Sequence, residues 1–512
     1  MKEIIFYGDN ALVYDFPEQT KIFYAPKPLP ALENEKVAIR KAVENPIGSQ
    51  KLEDLIDKNS RVVICFDNMS IPLPPMKADV RAIAAEVVLE KLKVLGLKRE
   101  NLLFMCASGL HRKCKPKELA HLLGKRIFSE YKDQITNHDA DDKTNLVVLG
   151  KTKEGYEIEI NRVVAEADLI VYLNITFGPL SGGWKSIIVG LGSYKTIIPS
   201  HSPVVLREGS FMDPQVSGMH RIIWAMGREI KERIKVFTIE MVLNNKIYNS
   251  LYEKLYRPLG EDHQRLPLWR KIALSTIRRM PGFLKAYVRR RYKADYKLIG
   301  VFAGDIENAH SETLKLLKKQ LAVPVDKQYD VIIFGVTNYS PYSIDSIINP
   351  LLLHDIVLGY YYNLFTGVMP PLKRGGIIII LHPVHEKFDP KQHPSYIDFY
   401  EEVLPKKPDI FNLTHVEKTY LNNETYSEQY RNKFAYHRTH VLMTYYFSVL
   451  GLQNVGKVIV AGAKSRRALE RLGFEYAKDL DDAIDASKKY FGENCSIAYF
   501  CYPPMFIAEL KK

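Results

Sequence analysis

The chain has 512 residues, of which 46% are hydrophobic and 26% are charged. This length allows two or three domains with cores of their own, and the composition is typical of a globular protein. A membrane span is not expected, because apolar runs such as residues 377–381 are far shorter than the roughly 20 residues that a bilayer requires. The five cysteines include no Cys-x-x-Cys pair, and the first residues lack the apolar core of a signal peptide. We therefore expect a cytoplasmic protein.

The net charge of +13 is concentrated in one segment. Residues 265–297 contain seven arginines and four lysines against a single acid, Asp295, with large apolar residues between them. Such a segment could contact an anionic lipid surface or an acidic partner. A solvated helical connector between domains explains it as well, and we favour the connector over a membrane contact. Nucleic-acid binding is not expected, because no recognised binding module accompanies the charge.

Strands and helices alternate along the first half of the chain. The pattern predicts an opening hairpin at residues 4–7 and 11–16 and a short helix at 37–43 that ends before Asn45-Pro46. The elements predicted after it are strands at 61–66, 101–106, 146–149 and 169–173 and helices at 78–95, 116–123 and 184–191. This alternation favours a parallel sheet with helices on both faces.

The second half repeats the alternation, with strands predicted at 298–303, 331–336, 376–381 and 457–461. We therefore predict an α/β protein with two α/β domains and mainly parallel sheets. Residues 1–264 would form the first domain, residues 265–297 the basic connector, and residues 298–512 the second α/β domain. The active site is expected in the cleft between the two domains.

Polar segments follow the predicted strands of the first half, at the edge of the sheet where ligands bind in such folds. His111 and Arg112 follow one strand and could be a general base beside an anion anchor, although a lone histidine is more often structural. The glycine loop that leads to Lys185 has one residue too many for a nucleotide-binding P-loop. It could equally be a tight turn with a solvent-facing lysine.

Short motifs follow one another along the first half of the chain. They are Asn45-Pro46-Ile47-Gly48-Ser49, Gly109-Leu110-His111-Arg112, Asn137-His138-Asp139, Glu166-Ala167-Asp168-Leu169, Ser181-Gly182-Gly183-Trp184-Lys185 and the run from Tyr194 to His201. In this order they resemble the nickel-dependent lactate racemase family, and the resemblance covers about residues 1–225 well and the second half more loosely. It implies that residues 1–264 bind a cofactor and carry out catalysis and that residues 298–512 close over them. In the second half, Ala303-Gly304-Asp305, Ala309-His310 and Gly375-Gly376 match.

The family implies a nickel-pincer nucleotide, a pyridinium mononucleotide that holds nickel and is tethered to a lysine through a thioamide. By this resemblance, Lys185 is the tethering lysine, His201 is the nickel ligand and His111 is the catalytic histidine that takes the substrate hydroxyl proton. Arg112 would hold a carboxylate or a phosphate. The other residues that we expect to bind the cofactor are Asn68, Ser70, Ser181, Gly182 and Gly183. The partners implied are a small 2-hydroxyacid substrate and the proteins that mature the cofactor.

The chain departs from the family at three places. Ile175 stands where the family has a second catalytic histidine, and Ile71 stands where it has an arginine. The substrate-contacting Tyr-Gln-x-x-Lys of the family corresponds to residues 342–346, which lack the lysine. The missing base could come from His382 and His385 at the end of a strand in the second domain, or those histidines could form a surface turn.

The sequence therefore predicts an isomerase, a racemase or epimerase of a 2-hydroxyacid. It would transfer a hydride from the α-carbon to the cofactor and back. The lost cationic contacts favour a substrate other than lactate. The alternative is a catalytically altered protein that binds a nucleotide or a metal on a racemase scaffold. The enzyme is preferred, because the tether and the metal ligand are retained together.

Overall fold

The computed structural model describes residues 1–260, 266–338 and 349–511. The strands are β1 (Lys2–Tyr7), β2 (Asn10–Asp15), β3 (Lys21–Tyr24), β4 (Val62–Asp67), β5 (Leu102–Ala107), β6 (Ile135–Asn137), β7 (Leu146–Lys151), β8 (Glu157–Asn161), β9 (Leu169–Thr176), β10 (Val236–Leu243), β11 (Leu298–Gly304), β12 (Ala322–Val325), β13 (Tyr329–Gly335), β14 (Leu372–Leu381), β15 (Lys457–Ala461), β16 (Glu475–Ala477), β17 (Ile497–Cys501) and β18 (Ile507–Leu510).

The α-helices are α1 (Glu35–Glu44), α2 (Leu52–Leu55), α3 (Val80–Val94), α4 (Pro116–Leu122), α5 (Lys125–Glu130), α6 (Arg162–Ala165), α7 (Lys185–Ile188), α8 (Tyr194–Ile197), α9 (Pro203–Leu206), α10 (Gly218–Ile230), α11 (Ser250–Tyr256), α12 (Leu268–Arg279), α13 (Gly282–Arg291), α14 (Ile306–Leu321), α15 (Pro350–His354), α16 (Pro394–Asp398), α17 (Thr414–Leu421), α18 (Glu424–Lys433), α19 (His440–Tyr446), α20 (Val449–Asn454), α21 (Arg466–Leu472) and α22 (Leu480–Phe491). Two π-helical segments, Asp355–Tyr361 and Phe399–Val403, follow α15 and α16.

The first large sheet has the strand order β11-β10-β9-β4-β5-β6. All its neighbours are parallel except β10 and β11, which are antiparallel. Every residue of β4 and of β9 is buried, as expected of parallel strands covered by helices on both faces. From β4 the chain adds β5 and β6 on one side of the sheet. It then returns to add β9, β10 and β11 on the other side of β4. The carboxyl ends of β4 and β9 therefore flank a topological switch point, where such sheets bind ligands.

The second large sheet has the order β16-β15-β14-β13-β17-β3, and all its neighbouring strands are parallel. The prediction of an α/β fold with mainly parallel sheets is thus confirmed. A helical region from α16 to α20 is inserted between β14 and β15. This insertion, rather than the strand ends of the second sheet, supplies much of the site described below.

Two predicted strands occupy positions that differ from the prediction. Strand β7 pairs antiparallel with β8 in a separate two-stranded sheet and does not join the large sheet. Strand β11 was assigned to the second domain, but it is the antiparallel edge of the first sheet, whereas β3 from the N-terminal part joins the second sheet. Local patterns predict that a segment is a strand, but its partner is decided by long-range contacts. Residue 264, the predicted domain boundary, and residues 342–346 lie outside the described residues.

The basic connector forms two helices, α12 and α13, joined by Met280 and Pro281. Helix α12 packs against the β1–β2 hairpin through its buried Leu274. In the ranges that the structure describes, no helix is long and apolar enough to cross a membrane.

Candidate active site

A cavity of about 210 Å³ lies at the carboxyl ends of β4, β5 and β9. The first half of the chain lines it with Asp67 and Asn68 after β4, with residues 107–111 after β5 and with the glycine turn before α7. The second half lines it with parts of residues 352–360, 393–396 and 436–447. The cavity is therefore built from both halves of the chain.

Strand β4 delivers its polar end to the cavity because a buried arginine holds the backbone there. Arg81 of α3 donates to the carbonyl oxygens of Asp67 at 2.7 Å and Asn68 at 3.0 Å, and its charge is paired with Asp79 at 2.7 Å. Removing one partner of such a buried pair would leave an uncompensated charge, so this clamp fixes the turn after β4. The same turn carries Ser70, which also lines the cavity.

His111 is partly buried in the loop that follows β5 and contacts the turn after β4. Its Nδ1 lies 2.9 Å from Oγ of Ser70 and 3.2 Å from Nδ2 of Asn68. Oγ of Ser70 can donate to Nδ1 or accept from it, whereas Nδ2 of Asn68 can only donate to it, so the two contacts hold the ring without fixing its tautomer. A general base at this position needs its lone pair on the ring nitrogen that faces the substrate. Burial first, then the charges of Lys185 and Arg112, lowers the pKa of His111 to about 4.

Lys185 begins α7 directly after the glycine turn. Gly182 and Gly183 adopt φ angles of 102° and 57°, which disfavour other residues. His310 packs against the turn so closely that a Cβ on Gly182 would lie 2.7 Å from its Nδ1. Glu240 accepts the N–H of Gly183 at 2.8 Å and pairs with His310 at 3.0 Å. The turn therefore needs glycine, and it fixes where the lysine enters the cavity.

The lysine is partly buried and lines the cavity, and burial lowers its pKa to about 7. An amine in this environment is largely neutral at slightly alkaline pH, which makes it a nucleophile. The expectation of a solvent-facing lysine in a simple turn does not fit this position.

His201 is buried at the end of a 3₁₀ turn, Ile198–His201, and lines the same cavity. Its Nδ1 lies 3.1 Å from the carbonyl oxygen of Ile197. A carbonyl can only accept, so Nδ1 carries the proton and Nε2 carries the lone pair. Burial, followed by the charge of Lys185, lowers the pKa of His201 to about 3. A neutral imidazole whose other nitrogen donates to the backbone is the usual form of a histidine metal ligand.

Asp67 is a buried carboxyl group in the cavity wall that the sequence did not single out. It accepts from the hydroxyl of Tyr172 at 3.0 Å and from the N–H of Ile175 at 2.7 Å. Burial raises its pKa to about 6 despite these hydrogen bonds. The side chain of Ile175 is buried in the core rather than in the cavity wall. The position that the family gives to a second histidine thus provides no base here.

The other predicted residues divide into two groups. Asn68, Ser70, Ser181 and Gly182 line the cavity, whereas Gly183 supports it through its backbone. Arg112 does not reach the cavity, because both terminal nitrogens bind Glu118, at 2.8 and 2.7 Å. It lines a second, larger cavity instead.

His382 and His385 are not brought to this cavity. His382 is buried at the end of β14, where its Nδ1 accepts the N–H of Val384 at 3.1 Å, and His385 is partly buried nearby. Both lie at the carboxyl edge of the second sheet, and neither is among the described residues that line the cavity. The facing half does supply histidines to the cavity, but they are His393 and His440.

The second cavity has a volume of about 520 Å³ and shares Asn68, Ser70, Leu73, His111 and Tyr436 with the first. Its wall is rich in cations. The basic side chains are Arg112, Lys117, Arg289, Arg290 and Lys293, against the acids Glu118 and Asp389. The basic connector therefore contributes part of its charge to a space that adjoins the candidate site.

Within the described residues, no group of three or more His, Cys, Asp or Glu side chains is placed to hold a metal ion. His201 would therefore have to share an ion with donor atoms from a bound ligand. The donor set fits a cofactor that brings most of its own metal ligands, because the imidazole of His201 and the amine of Lys185 line the same cavity.

Comparison with known proteins identifies the relationship. Residues 7–213 match the lactate racemase N-terminal domain. The lactate racemase of Lactiplantibacillus plantarum is 26% identical over 295 residues, which are 57% of this chain and 56% of that protein. The lactate racemase of Thermoanaerobacterium thermosaccharolyticum is 27% identical over 202 residues, 38% of this chain and 45% of that protein. These alignments thus span about half the length of the curated relatives. They confirm the resemblance to the lactate racemase family, through the N-terminal part.

The fold agrees over a greater length than the sequence. The structure of the lactate racemase apoprotein from Thermoanaerobacterium thermosaccharolyticum matches with a TM-score of 0.65 and 19% sequence identity. The match covers 99% of this chain and 100% of that one. The likeness therefore extends through the second half, which the sequence comparisons cover less well.

Proposed function

We propose that this chain, which is related to the lactate racemases, is an isomerase that racemises or epimerises a 2-hydroxyacid with a nickel-pincer nucleotide on Lys185. The observation that carries the proposal is the meeting of Lys185, His201 and His111 in one cavity. Each has the protonation state that its role requires near neutral pH, because burial disfavours the charged form of all three. Retaining this set has little value for a protein that binds no cofactor.

The cofactor fits the residues present. Lys185 offers an amine for the covalent tether, and His201 offers a single imidazole nitrogen to nickel. The cationic wall of the second cavity, which includes Lys117, Arg290 and Lys293, suits the phosphate of a nucleotide. When bound, the group would supply an acceptor for the α-hydrogen and its bonding electrons.

The chain itself supplies proton transfer, orientation and exclusion of water. His111 would take the hydroxyl proton of the substrate at Nε2, while Ser70 holds the other ring nitrogen. Apolar residues of the second half, including Ile356, Met443 and Phe447, would face the rest of the substrate. Because both halves line the cavity, closure of one half on the other would shield the reaction from water.

The substrate is expected to differ from lactate. The arginine of the family is replaced by Ile71, which lines the cavity and cannot bind a carboxylate. We therefore expect a 2-hydroxyacid with a larger or more apolar side chain. The test is to mature the protein with the cofactor-synthesis enzymes and incubate it with single enantiomers of a series of 2-hydroxyacids. Chiral chromatography should show conversion of at least one acid. Cofactor-loaded protein that converts none would contradict the proposal.

The alternative is a protein that binds a nucleotide or a metal without turnover. It is favoured by one observation, the buried Ile175 in place of the second histidine. It predicts a protein that binds ligand but leaves Lys185 unmodified after maturation. The two functions are therefore distinguished by the mass of the peptide that contains Lys185.

A further inference from the structure

We infer that His440 is the second catalytic base of this site and replaces the histidine that the chain lacks at Ile175. The inference rests on the proposed function and deepens it. His440 is the first residue of α19, comes from the opposite half of the chain and lines the cavity. Its ring lies 5.0 Å from the ring of His111, measured between centroids, at an interplanar angle of 74°. Both rings can therefore reach one substrate hydroxyl group.

One nitrogen of His440 is free for this role. Its Nε2 is buried and has no hydrogen-bond partner among the described residues. Buried polar atoms are nearly always satisfied, so an orphaned ring nitrogen beside a ligand cavity calls for a partner from the ligand. Burial, and then the neighbouring His111, lowers the pKa of His440 well below its ordinary value. The ring is therefore neutral and able to accept a proton.

The hydrogen bonds of the other nitrogen determine which tautomer is present. Nδ1 of His440 lies 2.6 Å from the hydroxyl of Tyr396, which lies 3.1 Å from Oγ1 of Thr444. Thr444 donates to backbone carbonyls of its own helix, at 3.1 and 3.2 Å, and so accepts from Tyr396. Tyr396 has then used its proton and accepts from Nδ1 of His440. The lone pair of His440 is left on Nε2.

The hydroxyl proton of one enantiomer would pass to Nε2 of His440. The cofactor, when bound, would supply the acceptor for the α-hydrogen and its bonding electrons, and the substrate carbon would become a carbonyl carbon. His111 performs the same proton transfer for the other enantiomer. Tyr396 is a positioning residue, because it acts only through the ring of His440.

His393 is the other cavity histidine that could compete for this role. Its Nδ1 is also unpartnered among the described residues, but its ring stacks on Tyr436 at 5.2 Å and contacts Tyr396 rather than His111. The direct neighbour of His111 is His440. We therefore assign the role to His440 and use His393 as a comparison in the test.

The first test uses the protein without cofactor. Nitrogen-15 NMR of the histidine rings should show that Nε2 of His440 is unprotonated at pH 7, and Tyr396→Phe should change this signal. A proton on Nε2 would overturn the inference. This readout does not depend on activity, so it stands even if Lys185 proves to be unmodified.

The second test uses the matured enzyme. Enantiomers have equal free energy, so steady-state kcat/KM must fall equally in both directions and cannot separate the two bases. The two bases can be separated by measuring the rate of keto acid formation from each enantiomer in a single turnover. In His440→Gln the rate should fall by about 10²–10⁴ for one enantiomer only, and in His111→Gln for the other. His415→Gln, on the exposed face of α17, is the matched control and should leave both rates unchanged.

Three outcomes of the second test overturn the assignment. The first is that His440→Gln leaves the rates of keto acid formation from both enantiomers unchanged, and the second is that it lowers both rates equally. The third is that His393→Gln, rather than His440→Gln, lowers the rate for one enantiomer only. If the unsubstituted enzyme forms keto acid from neither enantiomer, the result contradicts the proposed function. The tautomer of His440 is then still tested by the NMR measurement. The two failures are thus distinguishable.

In the basic connector, we propose that α12 and α13 bind the surface of an anionic lipid bilayer. Each helix exposes large apolar side chains at the same spacing. On α12 these are Leu268, Trp269 and Ile272, and on α13 Phe283, Leu284 and Tyr287. Leu268 and Phe283 are 73% and 72% exposed. A solvated connector would turn such residues inward, as α12 does with Leu274.

Cations surround these apolar side chains. Of the exposed cations on the two helices, Lys271, Arg278, Arg279 and Arg291 lie outside the second cavity and form no ion pair with any described residue. Arg291 lies over the ring of Tyr287 at 3.9 Å. Exposed aromatic and aliphatic residues among unpaired arginines and lysines are the pattern of helices that lie in the interface of anionic membranes. An acidic protein surface would match the charge but not the six exposed apolar side chains.

The test is sedimentation of the full chain with lipid vesicles. Vesicles that contain phosphatidylglycerol should pellet the protein, and vesicles of phosphatidylcholine alone should not. The variants Trp269→Ser with Phe283→Ser and Arg278→Glu with Arg279→Glu should each weaken binding by about tenfold or more. Val368→Ser with Met369→Ser changes two equally exposed apolar residues elsewhere and should have no effect. Binding to polyglutamate but not to vesicles, no binding at all, or an equal loss in the control pair would overturn the proposal.

Discussion

Nδ1 of His201 donates to the carbonyl oxygen of Ile197 at 3.1 Å and lies 2.9 Å from Oγ of Ser200, and these contacts leave the lone pair of the ring on Nε2. Because Nε2 keeps its lone pair, His201→Phe should lose nickel while the covalent adduct on Lys185 is retained. Elemental analysis for nickel and intact mass on the same sample measure the two separately. His415→Gln should retain both, and nickel at full occupancy in His201→Phe would show that another residue is the ligand.

The amine of Lys185 is expected to react as a neutral nucleophile near pH 7. Burial lowers its pKa to about 7, from the ordinary value of 10.5, because the cavity disfavours the ammonium form. In the protein without cofactor, the rate of reductive methylation at Lys185 should rise as pH increases through about 7 and then level off. Peptide mapping gives this rate residue by residue. A rate that still rises steeply above pH 9, as at exposed lysines, would contradict the assignment of a buried neutral amine.

His111 should be needed for turnover and not for cofactor loading. Its contacts with Ser70 and Asn68 orient the ring, and none of them involves Lys185. Substitution by Gln should lower kcat by about 10²–10⁴ and leave the nickel content intact. Both kcat and nickel content must be measured, because a loss of nickel in His111→Gln would indicate that His111 has a structural role instead.

Much of this arrangement could be predicted from the sequence, because the strands β4, β5 and β9 end in short polar segments at one edge of a parallel sheet. That edge contains Lys185 and His111, with His201 after two short helices. His440 could not be found in the same way. It begins a buried helix far along the chain, and no local pattern distinguishes it from a core histidine. His382 and His385 were chosen by the strand-end argument, which fails here because the corresponding edge of the second sheet does not line the cavity.

The glycine turn before Lys185 gives a prediction about stability. In Gly182→Ala, both the φ of 102° and the approach of a Cβ to 2.7 Å from His310 are unfavourable. Gly155 also has a positive φ, 87°, but a Cβ there meets nothing within 4 Å. Gly155→Ala should therefore cost about 1–2 kcal/mol from the backbone alone, and Gly182→Ala a further 1–3 kcal/mol or so from overpacking. Equal losses in urea unfolding would show that His310 does not constrain the turn.

The most direct test of the proposed function is the mass of the peptide that contains Lys185, taken from protein matured together with the cofactor-synthesis enzymes. We expect a covalent adduct of mononucleotide size on Lys185 and its absence in Lys185→Ala. An unmodified Lys185 under these conditions, in protein that is otherwise folded, would contradict the proposed function and favour a protein that binds its ligand without a tether.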